Sequence, residues 1–238
     1  MKLTALGTCG PFPRQGGACS GYLVEDGETR VLFDCGSGVL ARLFELCPLK
    51  ELDALVLSHL HFDHCGDLGV LRYALEAGFG GEGPLRVIAP AAPKNIRSLL
   101  LRAGVFAPED ARDGAEYLIG SLTVRLHAMR HPVETYGADI RDSQGRRLFY
   151  TGDTGLFDGL AALAQGADFL LADTCFTDAQ AAERPNVHMS VKQACFLAER
   201  AGVGRLGCTH HFGGAERTAI PLDFSPATVV KDMGSYWV

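Results

Sequence analysis

No run of lysines or arginines interrupts the acidic balance of this chain, whose 238 residues carry a formal charge of −6. Nucleic-acid binders concentrate positive charge on one face, so a large nucleic acid is a disfavoured partner. No apolar stretch approaches the length of a bilayer-spanning helix, and no membrane partner is expected. Linkers, repeats and low-complexity tracts are missing too. With 47% hydrophobic residues, enough for one full core, residues 1–238 read as a single domain. The eight cysteines, at positions 9, 19, 35, 47, 65, 175, 195 and 208, include no Cys-x-x-Cys pair. The opening segment Met1–Gly7 has too short an apolar region for a secretory signal. This predicts a cytoplasmic chain with reduced thiols, most of them small core residues.

What is present is an alternation of strand-like and helix-like segments. Strands are expected over 2–6, 20–25, 29–34, 53–58 and 86–89, with helices ending near 46 and covering 67–77 and 94–103. In the second half, strand patterns cover 116–131, 136–141, 146–150, 169–172 and 205–209, with a helix near 158–164. Ser190-x-x-Gln193 is a capping box that opens a helix reaching Ala201. Two β-rich halves, each carrying helices, predict two packed sheets covered by helices on their outer faces.

Against that frame, His59-Leu60-His61-Phe62-Asp63-His64 falls on a loop leaving the C-terminal end of the strand around Leu55-Val56-Leu57. Three imidazoles and a carboxylate crowded beside a buried strand are costly unless something compensates them. A divalent metal compensates both group types; the bland alternative is a polar, His-rich surface loop. Further ligands should stand where other strands end. His131 ends one, just before Pro132, while His127 shares its face but sits mid-strand. Asp153 closes another in Tyr150-Thr151-Gly152-Asp153-Thr154-Gly155, and His210 closes 205–209 beside the divergent His211. Singly, these would read as an edge histidine, a turn aspartate and a loop histidine. Together they place imidazole, carboxylate and imidazole at three strand ends.

The series His59-x-His61-x-Asp63-His64, His131, Asp153 and His210 resembles the metallo-β-lactamase fold superfamily, and Asp34 with Gly36 matches its upstream Asp-x-Gly motif. The resemblance covers nearly the whole chain. It implies an α/β (α+β) four-layer αββα sandwich of two mixed β-sheets with helices on the outer faces. It also implies that His59, His61 and His131 hold one divalent ion, that Asp63, His64 and His210 hold a second, and that Asp153 bridges them. Zinc is the default for such a set, with manganese or iron left open. Asp34 is expected to support the His loop from behind rather than to ligate.

Asp173 and His188-Met189-Ser190 narrow the resemblance to a ribonuclease Z-like phosphodiesterase branch. There, His188 would contact phosphate and protonate the leaving oxygen, oriented by Asp173 and Asp63. Leu6-Gly7-Thr8 with Arg14 resembles the N-terminal motif of that branch. Ribonuclease Z carries a tRNA-gripping arm between the positions of His131 and Asp153; here that interval holds only a hairpin, which argues against tRNA 3′ processing. The resemblance thus implies a binuclear hydrolase of a small or cyclic phosphodiester, acting through a hydroxide bridging the metals, in a chain that could form a homodimer. A thioesterase or lactonase of the same fold is the main alternative. A di-iron oxidoreductase would replace His61 with Glu, and a non-enzymatic binding module would have lost a ligand. Specificity is expected from the loops after residues 7, 78 and 211. Cys65 and Cys208, beside the suspected ligands, are candidates for oxidation.

Overall fold

The computed structural model describes residues 1–101, 104–212 and 223–238. In chain order the first half contains β1 (Lys2–Gly7), β2 (Cys9–Gly10), β3 (Gly21–Asp26), β4 (Thr29–Phe33), α1 (Val39–Leu46), β5 (Ala54–Val56), α2 (Phe62–Cys65), α3 (Leu68–Glu76), β6 (Leu85–Ala89), α4 (Lys94–Leu100) and β7 (Phe106–Asp110). The second contains β8 (Glu116–Ile119), β9 (Leu122–Ala128), β10 (Tyr136–Arg141), β11 (Arg147–Tyr150), α5 (Leu160–Ala164), β12 (Phe169–Asp173), α6 (Asp178–Glu183), α7 (Val191–Ala201), β13 (Leu206–Thr209), β14 (His211–Phe212), β15 (Ala227–Val229) and β16 (Gly234–Trp237).

Among the described residues these strands form two large sheets, ordered β16-β1-β3-β4-β5-β6-β7 and β15-β13-β12-β11-β10-β9-β8. Both are mixed. In the first, β3 pairs antiparallel with β4, and β4, β5 and β6 run parallel; in the second, β9, β10 and β11 are antiparallel neighbours and β11, β12 and β13 are parallel. Side-chain alternation assigns the layers. Leu148, Tyr150, Phe169 and Leu171 face a core shared with Leu3, Tyr22, Val24 and Phe33 of the opposite sheet. Phe149 and Leu170 face outward, where Leu160 of α5 and Leu197 and Ala198 of α7 cover them. On the other side Leu23, Leu32 and Leu55 pack under Val39 and Leu43 of α1 and Leu68 and Leu71 of α3. The result is the expected order of helix, sheet, sheet and helix layers.

The structure amends several sequence expectations. The pattern over 116–131 divides into β8 and β9, and β9 stops at Ala128, so His131 stands in a hairpin loop and not at a strand end. Strands β7, β15 and β16, at sheet edges, and the short α6 carried no clear signal. A two-stranded ribbon pairs β2 with β14, setting Cys9 beside His211 and Gly10 beside Phe212. No helix among the described residues is long and apolar enough to cross a membrane.

Candidate metal centre

The loop after β5 carries His59 and His61, but Asp63 and His64 lie in the helical turn α2, for which His61 is the N-cap. That turn corrects the simple loop expected from sequence. It brings Asp63 and His64 round to a different side of the cluster from His59 and His61. Gly36 makes this possible, because a Cβ there would overlap the Asp63 carbonyl. Asp34, at the end of β4, holds a left-handed backbone (φ 59), as does His210 (φ 56) after β13. Non-glycine residues keep such conformations only where their surroundings fix them.

The donors fall into two groups, each with its atoms within 4.8 Å of one another: His59, His61 and His131, and Asp63, His64, Asp153 and His210. In the first, His61 Nδ1 lies 3.0 Å from His59 Nε2 and 3.2 Å from His131 Nε2. In the second, Asp63 Oδ2 is 3.2 Å from His210 Nε2, and Asp153 Oδ1 is 3.2 Å from His64 Nε2. Asp153 joins them: its Oδ1 faces the second group while its Oδ2 is 3.7 Å from His59 Nε2 and 3.9 Å from His131 Nε2. His127 stays away, packed on Phe149 with ring centroids 6.1 Å apart.

These residues fit divalent ions on three counts. Donors held tetrahedrally at about 2.0–2.1 Å lie about 3.3–3.4 Å apart, close to the spacings above. The buried His64 Nε2 and Asp153 Oδ1, although 3.2 Å apart, make no well-formed hydrogen bond, a cost that a cation would remove. At three of the five histidines the ring nitrogen facing away is engaged: His59 Nδ1 by Ser58 Oγ at 3.0 Å, His64 Nδ1 by Asp34 at 2.8 Å and His131 Nδ1 by the Val187 carbonyl at 3.1 Å. Such partners fix tautomer and ring orientation at metal sites. Asp34 also accepts from Ser58 and from the Tyr150 hydroxyl, so its place is behind the ligands. Burial holds the His59 pKa well below its usual value, leaving a neutral donor. Burial opposes ionisation of Asp153, but His210 and His64 outweigh it and keep the carboxylate charged.

Beside the second group, Asp173 at the end of β12 accepts a hydrogen bond from His188 Nδ1 at 2.8 Å and lies 3.4 Å from His210 Nδ1. Burial disfavours charge on His188, yet Asp173 prevails and raises its pKa. The pairing with Asp173 is the one expected. Asp63, expected to orient the same imidazole, instead faces His210 and His64; the second carboxylate near His188 is Asp153, at 3.8 Å. A cleft of about 310 Å³ opens over these groups, room for a small ligand.

The cleft also sorts the remaining candidates. Pro11 and Phe212 line it, so the loops after 7 and 211 do reach it, although residues 213–222 lie outside the described residues. The loop after 78 does not; its Phe79 lines a separate hollow with Phe44. Arg14 is exposed, and the glycine-rich loop is anchored instead by Arg42, which donates to Leu6 and Gly16 carbonyls and to Asp232. Cys65 is fully buried and burial pushes its thiol up to about 12, which removes the case for easy oxidation. Cys208 is fully buried as well. Cys175, not singled out from sequence, is the thiol that lines the cleft.

Gly10 presses its backbone on the His210 ring, and a Cβ there would overlap the imidazole. Gly10→Ala is therefore expected to weaken metal binding about 10–100-fold, as loss of a supporting contact does, while far-UV dichroism stays unchanged. Equilibrium dialysis reads this directly; an unchanged affinity would mean that the β2 loop yields.

Comparison with known proteins agrees with this architecture. A sequence profile described as Beta-lactamase superfamily domain matches residues 29–211. The "Probable metallo-hydrolase YhfI" of Bacillus subtilis is 34% identical over 222 residues, covering 90% of this chain and 88% of that protein. A Ribonuclease Z of Mycobacterium bovis is 31% identical over 240 residues, covering 89% and 86%. The crystal structure of YhfI, described as a metallo-beta-lactamase fold protein, superposes with a TM-score of 0.90 at 29% identity over 99% of both chains. The short form of human tRNase Z superposes with a TM-score of 0.79 at 19% identity over 100% of this chain and 99% of its own, a likeness of fold alone. With the profile spanning most of its length and relatives above 30% identical across it, the chain belongs to the beta-lactamase superfamily and has the metallo-β-lactamase fold.

Proposed function

We propose that this metallo-hydrolase cleaves a small or cyclic phosphodiester, with His59, His61 and His131 holding one divalent ion, Asp63, His64 and His210 a second, and Asp153 shared between them. The observation that carries the reading is the His188–Asp173 pair at the cleft. Asp173 accepts a hydrogen bond from Nδ1 at 2.8 Å, which orients the ring and leaves Nε2 as the nitrogen turned from the carboxylate. An imidazolium held this way can contact a phosphate oxygen and hand its proton to a departing alkoxide, the group that most needs one. Bound ions would supply Lewis acidity, activation of water and charge to balance the transition state.

The other residues act by position. Asp173 also receives backbone N–H bonds from Thr154 at 3.1 Å and Cys175 at 2.9 Å, so it cannot swing away from His188. The Val187 carbonyl ties the segment carrying His188 to His131. The Ribonuclease Z relative supports phosphodiester chemistry. Between His131 and Asp153, where the resemblance places the tRNA-gripping arm of ribonuclease Z, this chain carries the β10–β11 hairpin. Zinc suits the His-rich donor set best.

The test is a screen of metal-free protein reloaded separately with zinc, manganese or iron. Phosphodiesters, phosphomonoesters, thioesters and lactones are offered to each form. Turnover of diesters supports the reading. Turnover of thioesters or lactones with every diester refused would overturn it and make the thioesterase or lactonase the better one.

A further inference from the structure

The cleft has a second recognition element beyond the reacting groups. Its outer wall is apolar, formed by Pro11, Pro132, Phe176, Val187 and Phe212, and among the described residues Arg184 is the permanent cation that lines it with them. The Arg184 guanidinium lies over the Phe176 ring, 5.7 Å from its centroid. Phe176 in turn stands edge-on to His188, with ring centroids 4.9 Å apart. Cation, aromatic ring and proton donor thus form a short line from the mouth of the cleft to its chemistry.

Ordinary surface packing would also place an arginine on an aromatic ring, so the surroundings decide. Arg184 makes no ion pair with any described carboxylate. Arg42, Arg86 and Arg147, in contrast, are each paired with an acidic side chain. Among the described residues Arg14, Arg112, Arg125, Arg130, Arg200 and Arg205 also make no ion pair; what sets Arg184 apart is that it lines the cleft. Its backbone is fixed. Arg184 caps the C-terminal end of α6, a helix set by the Thr177–Gln180 capping box, and its N–H donates to the Gln180 carbonyl at 2.9 Å. Two residues on, Asn186 Nδ2 donates to the Leu156 carbonyl at 2.6 Å, and Gly155 is bare because a Cβ there would overlap Asn186. Next, Val187 accepts from His131. A guanidinium stacked on a ring and carried by a pinned segment loses little freedom when it binds an anion.

We propose that Arg184 is a specificity-determining residue that binds a second anionic group of the substrate, a carboxylate or phosphate on the ester arm that does not leave. This rests on the phosphodiester reading above and deepens it. The substrate class becomes a phosphodiester with one further negative charge, its arm lying along the apolar wall between His188 and Arg184. A fork of N–H donors suits a carboxylate or phosphate, which a lysine would meet only as a point charge.

The test uses two alkyl p-nitrophenyl phosphodiesters, one with its alkyl arm ending in a carboxylate and the other with the same arm as a methyl ester. Metal-loaded wild type is expected to favour the carboxylate arm through KM. Arg184→Gln should lose about tenfold or more in kcat/KM on that substrate relative to its loss on the methyl ester, with Arg184→Lys recovering part of the difference. No preference in the wild type, or an equal loss on both substrates in Arg184→Gln, overturns the role of Arg184 alone. Refusal of both diesters by the wild type overturns the phosphodiester reading and this inference with it.

Discussion

Asp153→Asn is expected to lower turnover on the order of 10³-fold or more and to remove at least one bound metal ion. The amide keeps the shape of the carboxylate but not its charge, and it cannot present an anionic oxygen to both donor groups. In the structure Oδ1 stands 3.2 Å from His64 Nε2 and 3.4 Å from His210 Nε2, while Oδ2 faces His59 and His131. A shared anion is what allows two cations to approach each other closely. With the amide in its place, mutual repulsion should drive off the more weakly held ion. Metal content per chain and kcat measured on the same preparation check both halves. Two retained ions with full turnover would overturn the assignment of Asp153 as the shared ligand.

His188→Ala is the second large effect, and its size should depend on the leaving group. For an alkoxide, which cannot depart without a proton, a loss of about 10²–10⁴ in kcat is expected. For p-nitrophenolate, stable as an anion, the loss should shrink to less than about tenfold. Metal content is the control, because Asp173 contacts both His188 and the ligand His210. An equal loss on both leaving groups would show that His188 positions the substrate or the metals and donates no proton. Intact activity on thioesters in the same variant would favour the alternative hydrolase.

How far the sequence foretold this arrangement depended on where each residue lay. The buried strands beneath the site were legible because their apolar runs are continuous, as in Phe169-Leu170-Leu171-Ala172. Among the edge strands, β7, β15 and β16 were not. β7 contains Pro108 in its middle, tolerable only where one side of the strand goes unpaired, and β16 alternates half-buried and exposed residues. Helix α6 has no buried residue, so periodicity could not reveal it, though Thr177-x-x-Gln180 was a usable capping signal. Asp153 and His210 followed from strand ends. His131 was expected at a strand end; a hairpin loop and the Val187 carbonyl place it instead, still beside His61. Arg184 and Phe176 were invisible for a different reason. Their meeting depends on how α6 returns to the cleft, a tertiary fact with no local pattern.

The two donor groups draw on both sheets. His59, His61, Asp63 and His64 follow strand β5 of the first sheet, whereas His131, Asp153 and His210 follow strands of the second. A cation held there would be a fastener as well as a reagent. Every ligand bond it makes is lost if the halves part, so its binding energy adds to the resistance of the folded chain. With free metal a thousandfold above its dissociation constant, the gain is about 4 kcal/mol. That is a large share of the roughly 5–15 kcal/mol by which a domain is stable at all. Scarcity of metal in the cell would then shorten the life of the protein along with stopping its chemistry, and abundance would be read out as amount as much as rate.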